Sequence, residues 1–172
     1  MPVTKKQTST KDSMKTSALF QGLSDDELGF FTRSCKKLTV KKGTSVFSEG
    51  QAAHELYTVV SGRVALDMKL DRPDGSVTPV VTVSSLGPGE SFGWSSMIEP
   101  QVFTLTAEAV EDSELIYIDG KKLMVILDRH KETGYKVMLN VAKLLAWRLS
   151  DTREAFVYER GWLSQEKKTR DK

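Results

Sequence analysis

Apolar positions along the chain change period twice, and the changes divide it into three blocks. From Leu19 to Cys35 they follow a helical rhythm: Ser24-Asp25-Asp26-Glu27 has the form of a capping box, Leu23 and Leu28 sit where a hydrophobic staple lies, and Leu28, Phe31 and Cys35 share one face. From Leu38 to Asp119 the chain breaks into short runs rich in β-branched and aromatic residues: Thr39–Val40, Ser45–Phe47, Leu56–Val60, Val64–Met68, Val77–Val83, Leu105–Ala109 and Glu114–Ile118. Gly-containing turns at Lys42-Gly43, Glu49-Gly50, Ser61-Gly62 and Gly87-Pro88-Gly89 separate them, and Asp71-Arg72-Pro73-Asp74-Gly75 reads as a hairpin loop. From Gly120 the period returns to 3.6. Leu123, Ile126 and Leu127 predict a short helix ending around Asp128-Arg129-His130, and a longer helix follows from Lys131.

On that longer helix Met138, Val141, Ala142, Leu145, Leu149, Thr152 and Phe156 form one predicted stripe. About 25 residues of helix would reach about 38 Å, more than one face of a small roll can cover, so the distal apolar residues need a further partner. The predicted fold is mainly β with flanking helices: a double-stranded β-helix, or jelly roll, with a short embedded helix and a long C-terminal helix. Its expected organisation is a disordered leader over residues 1–18, one domain over 19–163 and a disordered tail over 164–172. Within the domain, the opening helix takes 19–37, the roll 38–119, and the hinge and long helices 120–163.

Composition narrows the functional classes. The 172 residues suit one domain with a continuous core, and 39% hydrophobic with 28% charged residues is ordinary for a globular protein. Lys5, Lys6, Lys11 and Lys15 lie among Ser and Thr with no apolar run behind them, so neither a secretory segment nor a membrane span is expected. A net charge of +2, scattered along the chain, does not suggest nucleic-acid binding. Cys35 is the sole cysteine, which fits a reducing cytoplasm and a buried packing role. With His54 and His130 the only histidines, no metal site of the cupin type is expected, and neither they nor Cys35 stand out as haem ligands. No nucleophile elbow or Walker loop is present, and the expectation is that the chain is not an enzyme.

Three motifs carry a resemblance. Val46-Phe47-Ser48-Glu49-Gly50, Leu56 to Val64, and Leu86-Gly87-Pro88-Gly89-Glu90-Ser91-Phe92-Gly93 occur in the order and spacing of the cyclic nucleotide-binding domain, which the chain resembles from about Leu19 to about Arg153. The resemblance implies a phosphate-binding cassette beginning at Phe92 and Gly93. In that family a Glu holds the ribose hydroxyl and a later Arg neutralises the cyclic phosphate; here Trp94 and Phe103 stand at those positions. The implied ligand-binding set is Phe92, Gly93, Trp94, Ser95, Ser96, Phe103 and Thr104; Arg148, Lys143 or Arg153 of the long helix could reach the pocket as a replacement cation, and a solvated helix face is the default reading of all three.

A cyclic phosphate needs backbone N–H groups at a helix start and a guanidinium able to make charge-assisted hydrogen bonds. The first device is retained in Gly93 to Ile98, where Ser95 and Ser96 add hydroxyls. The second is missing, because no Lys, Arg or His lies between Phe92 and Ala109, where Glu99 and Glu108 do occur. Trp94 and Phe103 therefore read in two ways. They line a pocket that has changed ligand, with Thr104 still offering a hydroxyl, or they fill the vacated space with aromatic bulk.

The corresponding functions are a stand-alone ligand-sensing module that couples pocket state to the C-terminal helix, and a ligand-independent dimerisation or adaptor domain with a plugged pocket. No cofactor is certain, and cyclic AMP or cyclic GMP is the nucleotide to test. The expected partners are a second copy through the C-terminal helix and a separate effector protein. Direct DNA binding is not expected, since nothing follows the long helix where related transcription factors carry a winged helix-turn-helix.

Overall fold

The computed structural model describes residues 9–69 and 80–170, with side chains described through Glu154 and at Val157. Among the described residues, eight strands form two four-stranded antiparallel sheets that face each other. They are β1 (Lys36–Val40), β2 (Ser45–Phe47), β3 (Glu55–Ser61), β4 (Val64–Lys69), β5 (Val80–Leu86), β6 (Ser91–Phe92), β7 (Thr106–Ala109) and β8 (Ser113–Asp119). One sheet runs β1-β8-β3-β6 and the other β2-β7-β4-β5, so strands distant in sequence lie side by side, as a jelly roll requires. The expected architecture is what the structure shows.

Boundaries moved for physical reasons. The segment expected as Val77–Val83 begins at Val80 and runs to Leu86, paired with β4. The expected hairpin loop Asp71–Gly75 lies outside the described residues. Strand β6, two residues long, was not expected, because Ser91-Phe92 reads locally as part of a turn and gains strand character only by pairing with Thr58 and Tyr57 of β3. Gly62 makes the β3–β4 corner: at φ +83° it also packs so tightly that a Cβ would lie 2.3 Å from Ser113 Oγ.

Helices cover the outer face of the β1-β8-β3-β6 sheet. They are α1 (Thr10–Lys15), a 3₁₀ turn at Ala18–Phe20, α2 (Asp25–Thr32), α3 (Gly120–Arg129) and α4 (Lys131–Arg170). The expected disordered leader is corrected for residues 10–18. Ser9 caps α1, and Met14, Ser13 and Ser17 are buried, because Met14 packs with Leu19 and Phe20 in the core between the helices and the sheet. The tail expected to be disordered from residue 164 is likewise helical as far as Arg170, giving α4 40 residues and a length of about 60 Å.

Two cores result. Val59, Val64, Leu66, Leu86, Phe92, Phe103, Ala107 and Leu115 are among the residues filling the roll. Met14, Leu19, Phe20, Leu28, Phe31, Leu56, Ile116, Leu123, Val137 and Val141 join the helices to the sheet.

The capping box on α2 forms as the sequence indicates, with Ser24 Oγ accepting from Glu27 N and Glu27 Oε2 accepting from Ser24 N at 2.7 Å. Its carboxylate does more than cap. Glu27 Oε1 also accepts from Lys136 Nζ at 2.8 Å and Thr133 Oγ1 at 3.1 Å, tying α2 to the first turns of α4. The Lys136 ammonium, with the Ser24 amide and the Thr133 hydroxyl, brings the Glu27 pKa down from 4.5 to about 2. A depressed carboxyl stabilises the fold fully above its unfolded value and loses that contribution as pH falls through its folded value. The stability difference between wild type and Glu27→Gln is therefore expected to be constant above pH 4.5 and to close between 4.5 and 2 in stepped-pH thermal melts. A gap unchanged down to pH 2 would remove the ionised carboxylate from this account.

Candidate functional site

The cassette is built where β6 ends. Gly93 follows Phe92 with φ +88°, a left-handed conformation, and a Cβ there would lie 2.8 Å from the Glu55 carbonyl and 3.5 Å from the Phe103 ring. Only glycine turns the chain at that point without displacing β3. A 3₁₀ turn at Trp94–Met97 follows, closed by Ser96 N donating to Gly93 O at 3.1 Å and Ile98 N donating to Ser95 O at 3.3 Å. This is the single helical turn expected from the sequence.

The residues expected to share the site separate onto two sides of it. Phe103 is 4% exposed and sits inside the roll, its ring stacked on Phe47 with centroids 3.6 Å apart and planes 6° apart. Phe47 also touches Tyr57 and Phe92, at centroid distances of 5.8 and 5.9 Å. Backbone bonds fix Phe103 in place: its N–H donates to Gln51 O at 2.9 Å and its carbonyl accepts from Gly50 N at 2.8 Å. Trp94 packs instead against the helical layer that holds Leu123 and Leu127, outside the roll, and its buried Nε1 has no acceptor among the described residues.

Three further residues of the expected set lie away from the roll interior or are already engaged. Ser96 is buried and its hydroxyl donates to Gly93 O at 2.8 Å, so it is engaged in closing the turn, while Ser95 is half-buried. Thr104 is exposed, because successive side chains of an extended segment point to opposite sides and burying Phe103 turns its neighbour outward. Arg148 does not enter the roll: its Nη2 donates to the Ser91 carbonyl at 2.6 Å, and burial holds its pKa below the usual value despite nearby Glu90.

Sequence reasoning missed the residues that surround the cassette. Phe47 and Tyr57 contribute rings to the same stack as Phe103, and inward-facing period-two positions on β2 and β3 are the signal that could have found them. Ser17, Thr58 and Ser91 form a buried hydroxyl cluster, with 2.8 Å between Thr58 and Ser91, 3.4 Å between Ser17 and Ser91 and 3.5 Å between Ser17 and Thr58. These come from separate elements, and no local pattern announces them. Cys35 matches its expected packing role: it is half-buried, and desolvation pushes its thiol up to about 12.

Behind the cassette, the long helix docks through Val137 and Val141, and Asn140 Nδ2 donates to the Leu19 and Gln21 carbonyls at 3.1 and 2.8 Å. The single stripe expected on this helix is therefore two faces. Val141 is turned to the protein's own core, whereas Met138, Leu145 and Leu149 are 44%, 41% and 72% exposed. Phe156 has its side chain outside the described residues. No helix among the described residues is long and apolar enough to cross a membrane, and no group of three or more His, Cys, Asp or Glu side chains is placed to hold a metal ion.

A two-sheet antiparallel roll with a glycine-led cassette and a long helix docked behind it is the architecture of the cyclic nucleotide-binding domain. The chain belongs to the cyclic nucleotide-binding domain family, whose model matches residues 37–130. It is 31% identical over 138 residues, 80% of its length, to the cyclic AMP receptor protein of Thermus thermophilus, and spans 60% of that relative. Among solved structures, the Thermus thermophilus catabolite activator protein superposes with a TM-score of 0.67 at 32% identity, over 86% of this chain and 63% of that one. The N-terminal domain of a transcriptional regulator from Streptomyces coelicolor A3(2) does so with a TM-score of 0.64 at 27% identity, over 84% of this chain and 95% of that one. The chain thus spans less than two thirds of the length of the curated relatives it matches, which include Mycobacterium tuberculosis regulators covered over 54%.

Proposed function

We propose that this protein is a regulatory domain in which the roll interior is closed by its own aromatic side chains and output passes through α4, without catalysis. The observation that carries this reading is Phe103: 4% exposed and stacked on Phe47, it fills the place where the family resemblance puts the phosphate-binding Arg. An anion inside the roll would meet a ring in place of a guanidinium, and a charge-assisted hydrogen bond worth about 1.5–3 kcal/mol would be absent. The exposed side chains of Met138, Leu145 and Leu149 lie on one face of α4, spaced to pair with a second copy, and a homodimer through this helix is part of the proposal. A separate effector protein would read the position of that helix.

A second reading, a sensor of cyclic AMP or cyclic GMP, is favoured by the Gly93 turn, which keeps the backbone start of the cassette. It requires Phe103 to leave the roll. One experiment separates the two: thermal-shift and calorimetric titration of the wild type, Phe103→Arg, and Trp94→Glu with Phe103→Arg, against cyclic AMP and cyclic GMP, with mass followed by sedimentation. The expected results are no ligand response in the wild type, a gain of stabilisation in the double variant because ligand binds only the native state, and a wild-type mass twice that of the 19.2 kDa chain. A wild type stabilised by cyclic AMP would overturn the closed-roll reading. A monomer would overturn the dimer.

A further inference from the structure

Arg148 is half-buried, an uncommon setting for a guanidinium without a countercharge. A guanidinium carries five N–H donors and loses much of its hydration when enclosed, a loss that an ion pair normally offsets. Here Arg148 has no ion pair among the described residues; its acceptor is the Ser91 carbonyl, 2.6 Å from Nη2. Glu90 is close enough to favour its charge, but the Glu90 carboxylate is engaged with Gly87 N at 2.8 Å.

The carbonyl it holds is at a structurally sensitive place. Strand β6 is the edge of its sheet, paired on one side with β3. The Glu90 carbonyl turns toward β3 and takes the Val59 N–H at 2.9 Å, so the next carbonyl along, that of Ser91, faces the free edge where Arg148 caps it. The Ser91 hydroxyl meets Thr58 of β3 and Ser17, the cap of the 3₁₀ turn whose Leu19 carbonyl binds Asn140 of α4. The following residue, Phe92, lies in the roll against Tyr57 and Phe47, and Phe47 stacks on Phe103.

Along α4, Val137, Val141 and Arg148 are spaced four and seven residues apart, so they share the face turned to the roll, with the arginine at its distal end. A continuous set of contacts therefore runs from α4 through Arg148, Ser91 and Phe92 to the aromatic plug.

We propose that Arg148 is the latch of this domain: bound to the Ser91 carbonyl it holds α4 and the cassette strand together, and its release frees both at once. The latch rests on the reading of α4 as the output element and names the residue through which that output is controlled. A hydrogen bond to a neutral carbonyl leaves the half-buried cation without a countercharge, so the docked state opens when Arg148 finds an anionic acceptor elsewhere.

The test is amide hydrogen exchange on the full chain for the wild type, Arg148→Lys and Arg148→Met. In Arg148→Met, exchange is expected to rise by about ten-fold or more, together, in residues 140–150 of α4 and residues 91–97 of the cassette, with α2, β1 and β8 unchanged. Arg148→Lys, which keeps one cationic donor, is expected to fall between. A rise confined to α4, or no rise in either segment, would overturn the latch; a uniform rise in Arg148→Met would be resolved by the lysine variant, which must show the paired response. Failure of the latch is distinct from failure of the closed-roll reading, because nucleotide binding by the wild type is scored in the titration and does not alter whether the two segments open together.

Discussion

Phe103→Ala is expected to be among the most destabilising single substitutions in this protein, costing about 3–5 kcal/mol. For a chain of this length each kcal/mol is worth about 2–4 °C of Tm, so the melting temperature should fall by roughly 6–20 °C. The reason is geometric. The ring is 4% exposed and stacks at 3.6 Å on Phe47, and that ring in turn meets Tyr57 and Phe92. Removing it leaves a cavity bounded by side chains anchored on different strands, which cannot collapse together to fill it. Phe103→Leu retains much of the volume and is expected to lose a smaller share. Chemical denaturation of the two variants beside the wild type checks this, and a loss below about 1 kcal/mol for the alanine variant, the size of an ordinary substitution, would show that the ring is not a packing element.

The same experiment bears on function. If the roll is closed by its own side chains, the cavity opened by Phe103→Ala should accept a small apolar molecule more readily than a nucleotide, since emptying the space adds no cation to the site.

Gly120→Val is the second substitution expected to have a large effect. Gly120 opens α3 and carries no side chain because none fits: a Cβ would lie 2.3 Å from the Ser96 carbonyl oxygen and 2.8 Å from its carbon. Its own N–H donates to the His54 carbonyl at 2.8 Å, while the preceding Asp119 carboxylate accepts from Lys122 N at 2.8 Å and caps the helix. The start of α3 is thus fixed between two backbone segments, and a valine must push the cassette turn away from the hinge helix. Overpacking of this kind costs about 1–3 kcal/mol, and contact with main chain in place of a flexible side chain puts the expectation at the upper end. Thermal melts should show the loss, and the indole N–H resonance of Trp94, which follows the same turn, should shift. Unchanged stability together with an unmoved Trp94 signal would mean that the cassette and α3 are not in rigid contact.

Much of this architecture was legible in the sequence because its signals are local. The Ser24–Glu27 capping box, the Gly93 turn and the change of period at Gly120 depend on residues within a few positions of one another and formed where the pattern put them, and the glycine-punctuated strands formed in the expected order with shifted ends. Strand β6, the hydroxyl cluster of Ser17, Thr58 and Ser91, and the hold of Arg148 on Ser91 depend on partners 33 to 74 residues away, and nothing within their own neighbourhoods specifies them.

The site shows the same division. That aromatic residues replace the family's charged ones is legible in the chain alone, since it depends only on the identities of Trp94 and Phe103. Their separation is a product of packing: the roll takes Phe103 because backbone bonds to Gly50 and Gln51 turn it inward, and the helical layer takes Trp94 because the Gly93 turn points the next residue outward. On α4 a 3.6-residue period fixed which residues are apolar, and with that the presence of a helix. Which apolar side chains meet the roll and which remain exposed was set by where α2 and the 3₁₀ turn bind it through Glu27, Leu19 and Gln21, and contacts between elements remote in sequence leave no mark on the period of any one of them.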